Sequence, residues 1–259
     1  MAFMEMHFRS HALKMNVPVN VILPERASTD SAGGAPDGPW KTLYLLHGLS
    51  GNHMDWMRKT AIERYATTYH IAVVMPEVAR TWYTDTANDA NYFTFITEEL
   101  PAVCRSYFKG MTDRREDNLI AGLSMGGYGA IKAALTYPDR YCGCAALSGA
   151  LDITRDGRPY NLNEWQSIFG FQLESAAALK GTKHDVFHLA QARKDAGCQL
   201  PRMFLWCGTE DSLIHVNRKY HTLLESLDID HRYEESEGNH TWKYWDLHIQ
   251  DALAYLFKE

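Results

Sequence analysis

From Thr42 onward the chain alternates compact apolar segments with helical ones, and this alternation limits its fold more than any other feature. Parallel strands need long crossovers, and helices supply them, so the pattern predicts βαβ units around a mostly parallel sheet. The predicted strands are Thr42 to Leu46, Ile71 to Met75, Asn118 to Leu123, Cys142 to Leu147, Met203 to Cys207 and His231 to Tyr233. The predicted helices are Asp55 to Tyr69, Tyr92 to Phe108, Met125 to Thr136, Val216 to Leu227 and Tyr244 to Phe257. Ahead of them Val17, Val19, Val21 and Leu23 alternate with other residues, the period of a half-buried strand, and Met4 to Arg9 is its candidate hairpin partner. Ala27 to Pro39 carries no periodicity and reads as a surface loop. With 259 residues the chain suits a single α/β domain. One stretch resists the alternation: residues 152–201 form a long insertion with a helix expected from Val186 to Ala196, and are read as a cap or lid.

Composition removes several functional classes. Lys and Arg number 26 against 32 Asp and Glu, a net charge of −6, and no basic cluster is present, so nucleic acid is not an expected partner. The longest uncharged run, Asn118 to Ile131, is shorter than the roughly 18 apolar residues of a membrane span. Glu5, His7, Arg9, His11 and Lys14 interrupt any secretory core at the N-terminus, and a cytoplasmic location is the expectation. Five cysteines, with Cys142 and Cys144 one residue apart, read as reduced thiols.

The chemistry centres on Gly122-Leu123-Ser124-Met125-Gly126, a G-x-S-x-G segment that ends a predicted strand and opens a predicted helix. In a nucleophile elbow the serine sits in a strained strand-to-helix turn, and small residues two before and two after it let the turn close. Gly48-Leu49-Ser50-Gly51-Asn52 has Asn where the second glycine belongs, so Ser50 is not a second elbow. A serine hydroxyl needs a base and an orienting carboxylate, found on such folds in the order Ser, Asp or Glu, His. The strand Met203 to Cys207 runs into Gly208-Thr209-Glu210-Asp211, which makes Asp211 the candidate acid and Glu210 its alternative. Of the histidines beyond it, His231 begins a strand and His221 and His248 fall within helical patterns. His240 lies in the loop Glu237 to Trp242 and is the candidate base. Leu49, after His47-Gly48, and Met125 are the candidate backbone donors of an oxyanion hole.

His184/His188 and His7/His11 are spaced i, i+4 but lack the glutamate of a zinc motif, and no dinucleotide or P-loop signature occurs, so neither metal nor cofactor is expected. Trp82, Tyr83, Trp165, Phe169 and Trp242 are the candidate substrate-binding residues.

In this order the residues resemble the α/β-hydrolase superfamily, and within it the esterase D and tributyrin esterase group. The resemblance runs through Leu43 to Asn52, Pro76-Glu77, Trp82 to Asp85, Glu98 to Pro101 and Gly122 to Ala130. It implies a serine carboxylesterase for short-chain acyl esters, with Ser124 as nucleophile, Asp211 as acid, His240 as base and Leu49 and Met125 as oxyanion donors. It also makes a homo-oligomer an expectation. Asn239 departs from the second glycine that relatives often carry before the histidine. S-Formylglutathione hydrolases are cousins whose Ser-Gly-Leu-Thr-Cys segment is missing here. Feruloyl or acetyl-sugar esterases, such thioesterases and acyltransferases are the alternative activities.

Overall fold

The computed structural model describes residues 1–26, 33–155 and 161–258, so part of the Ala27 to Pro39 loop lies outside the described residues. Among the described residues, eight strands form one sheet in the order β1-β2-β4-β3-β5-β6-β7-β8. β1 (Ala2–Arg9) and β2 (Asn16–Leu23) make the predicted antiparallel hairpin, and β2 also pairs antiparallel with β4 (Ala72–Pro76). From β4 the sheet runs parallel through β3 (Thr42–Leu46), β5 (Asn118–Leu123), β6 (Gly143–Leu147), β7 (Arg202–Gly208) and β8 (His231–Ser236). This is the α/β-hydrolase fold.

The strands alternate between two buried faces. Tyr44, Leu46, Ile120, Cys144, Ala146, Met203 and Leu205 enter one core. Leu43, Leu45, Leu119, Ala121, Ala145, Leu147, Phe204 and Trp206 enter the other. Buried on both sides, these strands read as continuous apolar runs. The second face is covered by α1 (Asp55–Lys59) and α2 (Ile62–Tyr69) through Trp56 and Ile62. α3 (Tyr92–Thr94), α4 (Leu100–Tyr107), α5 (Met125–Thr136), α6 (Leu162–Phe169), α7 (Val186–Asp195) and α8 (Ile214–Ser226) follow, with α4, α5, α7 and α8 contributing to the first core. α9 (Trp242–Leu256) returns to the second face with Trp245, Ile249 and Leu253.

Two helices depart from their sequence pattern. The span expected from Asp55 to Tyr69 is broken at Thr60. The Thr60 hydroxyl donates to the Trp56 carbonyl (2.5 Å) and accepts from Ile62 N–H (3.2 Å), while Asp246 of α9 takes the Ala61 N–H (3.0 Å). Side-chain oxygens thus replace the helical ladder. The span from Tyr92 continues into α4 but widens to a π turn at Phe95–Glu99. Pro101 has no N–H to give Thr97, whose carbonyl accepts from Arg140 Nη1 instead (2.8 Å). Within 152–201, α7 packs on α5 and α8, whereas Trp165 of α6 packs on Trp82 in the loop after β4.

Candidate active site

The strand order reverses around β3, with β4 on one side and β5 on the other. In open parallel sheets the crevice at such a point, beyond the strands' C-terminal ends, is where ligands gather. Loops after β3, β5, β7 and β8 meet there around a cavity of about 630 Å³, whose wall includes Leu49, Trp82, Ser124, Ala150, Leu213, His240, Trp242 and Trp245.

Ser124 bridges β5 and α5 with φ 53° and ψ −117°, a conformation costly for a residue with a side chain. The turn closes because its flanking residues have no Cβ. One added to Gly122 would lie 2.5 Å from the Gly126 carbonyl group, and one on Gly126 would lie 2.4 Å from the Leu46 carbonyl oxygen. Backbone bonds lock it: Ser124 N–H donates to Leu147 O (2.9 Å), and Ser124 O accepts from Ala150 N–H (3.0 Å). Met125 follows as the first residue of α5, where an amide has no acceptor within the helix.

Ser124 Oγ lies 3.0 Å from His240 Nε2, and His240 Nδ1 lies 2.8 Å from Asp211 Oδ2. Asp211 is buried, and its Oδ1 accepts the Leu213 N–H at 2.8 Å. Burial alone would push this carboxyl up, but the hydrogen bond and charge of His240, with help from Leu213 and Ser148, outweigh it and hold the group below the usual carboxylate range. While His240 Nδ1 is on Asp211, the carboxylate of the alternative acid, Glu210, bonds Gly238 and Thr209. Its Oε2 accepts the Gly238 N–H (2.7 Å) and its own N–H donates to Gly238 O (2.9 Å), so it fixes the loop that carries His240. That Gly238 bond, with one from the Thr209 hydroxyl, keeps its carboxyl low.

The three alternative histidines, His221, His231 and His248, are engaged elsewhere. His221 and His231 pair with one another (2.7 Å). His248 stacks on Trp206 and contacts Ser236 Oγ (3.1 Å) and Asp251 (2.7 Å), a second meeting of the same three residue types. There, however, the serine hydroxyl also accepts from Trp206 Nε1 (2.9 Å) at a packed joint of α9 with the sheet.

Leu49 lies in the four-residue turn Gly48 to Gly51, closed by Gly51 N–H to Gly48 O (3.0 Å). Behind it His47 is buried, which pushes its imidazole pKa down and keeps the ring neutral. Nε2 accepts the Val78 N–H (3.1 Å), so Nδ1 carries the proton and donates to Gly48 O (2.8 Å).

Of the five candidate substrate-binding aromatics, Trp82 and Trp242 lie in the cavity wall, and Tyr83, Trp165 and Phe169 do not. Tyr83 is fully buried with its hydroxyl on the His47 carbonyl (2.8 Å). Trp165 stands behind Trp82, edge-on at 5.2 Å between ring centroids, and Phe169 stands behind Trp165 at 4.9 Å. Sequence reasoning missed Trp245, whose ring meets His240 edge-on at 4.8 Å, and the lining pair Lys59 and Asp55 (3.1 Å), whose ammonium lies over the Trp242 ring. The i, i+3 spacing of Trp242 and Trp245, just after the histidine loop, was the available signal.

Comparison with known proteins agrees with this architecture. The Esterase family model matches residues 10–256. The acetyl esterase of Caldicellulosiruptor saccharolyticus is 34% identical, covering 100% of this chain and 99% of the relative. Among solved structures, the substrate-bound fluorophosphonate-binding serine hydrolase FphF of Staphylococcus aureus superposes with a TM-score of 0.89 at 33% identity, covering 100% of this chain and 99% of that one. The S-formylglutathione hydrolase FrmB of the same organism gives 0.85 at 32% identity, with 99% of each chain covered. The chain thus belongs to the Esterase family and is a carboxylic ester hydrolase with the α/β-hydrolase fold.

Proposed function

We propose that the protein is a serine carboxylesterase acting on short-chain acyl esters through an acyl-enzyme, and the observation that carries this reading is the hydrogen-bonded chain from Asp211 through His240 to Ser124. Asp211 holds His240 with its proton on Nδ1, which leaves Nε2 free to accept the Ser124 proton. Ser124 Oγ attacks the ester carbonyl. The oxygen that becomes negative is met by the N–H groups of Leu49 and Met125, with the N-terminal end of α5 adding its dipole. His240 then delivers the proton to the departing alcohol, and water repeats the sequence on the acyl-enzyme.

The leaving oxygen must come within hydrogen-bond reach of His240 Nε2, so the alcohol lies toward Thr241, Trp242 and Lys59. The acyl chain lies on the other side, against Trp82, Ala150 and Leu213. That wall is apolar and close to the serine, which suits acetyl to butyryl groups with graded preference. Within one catalytic domain, residues 152–201 serve in part as a cap: Trp165 of α6 backs Trp82 and sets how far it can retreat.

A panel of p-nitrophenyl esters from acetate to octanoate, extended to methyl ferulate, acetylated sugars and S-formylglutathione, tests the reading. The expected result is highest kcat/KM at acetate to butyrate, abolished by Ser124→Ala in a folded protein. Unchanged turnover in Ser124→Ala refutes the nucleophile, and a preference for one of the last three substrates replaces the substrate class.

A further inference from the structure

The turn Gly48 to Gly51 carries Leu49 at its second position and Ser50 at its third. Ser50 has φ 65°, the left-handed region that glycine or asparagine ordinarily fills. For another residue this conformation is strained. Something must hold it.

The segment Glu77 to Tyr83 brackets the whole stretch from His47 to His53. Glu77 Oε2 accepts the His53 N–H (3.1 Å), the Val78 N–H is on His47 Nε2, and the Tyr83 hydroxyl is on His47 O. These ties reach the two ends of the stretch. The tip is reached by Arg80. Its Nη1 donates to Ser50 Oγ (3.1 Å), while Nε and Nη2 converge from the other edge of the guanidinium on Glu164 Oε1 of α6 (3.0 and 2.8 Å). Glu164 is itself steadied by its place in the first turn of α6, where its N–H is capped by Asn161 Oδ1 (2.7 Å). Its neighbour Trp165 packs against Trp82.

We propose that Arg80 is a positioning residue that clamps Ser50 in its left-handed conformation, and through it the Leu49 amide, using Glu164 of α6 as the anchor. The proposal rests on the reading of Leu49 as an oxyanion donor. A planar guanidinium holds donors on two edges and reaches both partners in a fixed geometry, whereas an ammonium presents its three donors from one point. Without the clamp Ser50 relaxes toward negative φ, the Leu49–Ser50 peptide rotates, and the adjoining amide loses its aim. Removing an oxyanion donor outright costs 10²- to 10³-fold in kcat, and a donor that remains but is loosely held should cost about tenfold.

The test is a set of variants assayed on p-nitrophenyl acetate and butyrate: Arg80→Met, Arg80→Lys, Ser50→Ala, Glu164→Gln and the double variant Arg80→Met/Ser50→Ala. Arg80→Met should lower kcat about tenfold on both substrates with KM changed less than twofold, and Arg80→Lys should fall in between. Adding Ser50→Ala to Arg80→Met should cost less than a further twofold, because both changes break one link. In parallel, the rate of Ser124 modification by a fluorophosphonate, which also forms an oxyanion, should fall with kcat. The clamp is refuted if the two single losses multiply, if the loss sits in KM, or if Arg80→Met is phosphonylated at the wild-type rate. A wild-type protein that is not modified at Ser124 refutes instead the functional reading on which the clamp rests. Glu164→Gln, which keeps the side chain's shape, should show a smaller loss of the same kind; wild-type kcat in that variant removes α6 as the anchor.

Discussion

Replacing Asp211 by Asn tests the relay at the point where the geometry is most demanding. Leu213 N–H donates to Oδ1 and must still find an oxygen there, so the amide nitrogen of the variant takes the place of Oδ2, 2.8 Å from His240 Nδ1. Two N–H groups cannot face one another. The imidazole therefore moves its proton to Nε2, which then donates toward Ser124 Oγ and can no longer accept from it. A wrong tautomer of this kind costs about 10⁴ in kcat where it has been measured in serine proteases, equivalent to about 5.5 kcal/mol in the barrier. The volume is unchanged, so near-wild-type melting and circular dichroism are expected beside that loss. The assay is kcat and KM on p-nitrophenyl acetate at pH 7 to 8, with Glu210→Gln as the control. Glu210 binds the Gly238 backbone and never the imidazole, so its variant should stay within about tenfold of wild type. A tenfold or smaller loss in Asp211→Asn, or a loss in Glu210→Gln as large as that in Asp211→Asn, would refute the assignment of the acid.

Other consequences are open to direct measurement. Gly126→Ala puts a Cβ 2.4 Å from the Leu46 carbonyl oxygen, so the end of β3 and α5 must separate; a large fall in Tm together with lost activity is expected, and a wild-type Tm would contradict the close approach. Trp165→Ala removes the ring behind Trp82 and should shift the p-nitrophenyl ester preference toward longer chains; an unchanged chain-length profile would remove α6 from the acyl site. Lys132, on α5, is buried with its ammonium on Tyr83 O (2.9 Å) and Thr84 Oγ1 (2.8 Å), and burial, opposed by Asp85, pushes its pKa down to about 7 from 10.5. Between those values the unfolded chain binds a proton that the folded one lacks, so stability should rise with pH from 7 toward 10, with a contribution of up to about 1.4 kcal/mol per pH unit. Urea titrations of Lys132→Met should lack that part of the slope, and an identical slope in the variant would contradict it.

Where structure is set by local pattern, the sequence is a good guide. β3, β5 and α5 begin and end where their apolar runs and the elbow glycines place them, and the hairpin of β1 with β2 follows from the alternation at Val17 to Leu23. The break at Thr60 and the π turn before Pro101 depend on Asp246 and Arg140, distant partners that no local window contains. The site divides along the same line. Ser124 is marked by the glycines that its turn requires, and Asp211 and His240 by their places after β7 and β8. The aromatics carry no such constraint: a tryptophan at the cavity and one behind it look alike in sequence, which therefore does not separate Tyr83, Trp165 and Phe169 from Trp82 and Trp242. Arg80 had no signal at all, because its role exists only where three separate segments meet.

The most direct test of the mechanism is to catch the covalent intermediate. Rapid acid quenching of the enzyme during turnover of p-nitrophenyl acetate, followed by proteolysis and mass spectrometry, should find one acetyl group on the peptide that contains Ser124. A burst of p-nitrophenol approaching one equivalent should accompany it where deacylation is slower than acylation, and Ser124→Ala should give neither. Acetyl on another residue, or full turnover by Ser124→Ala, would contradict the account at its centre.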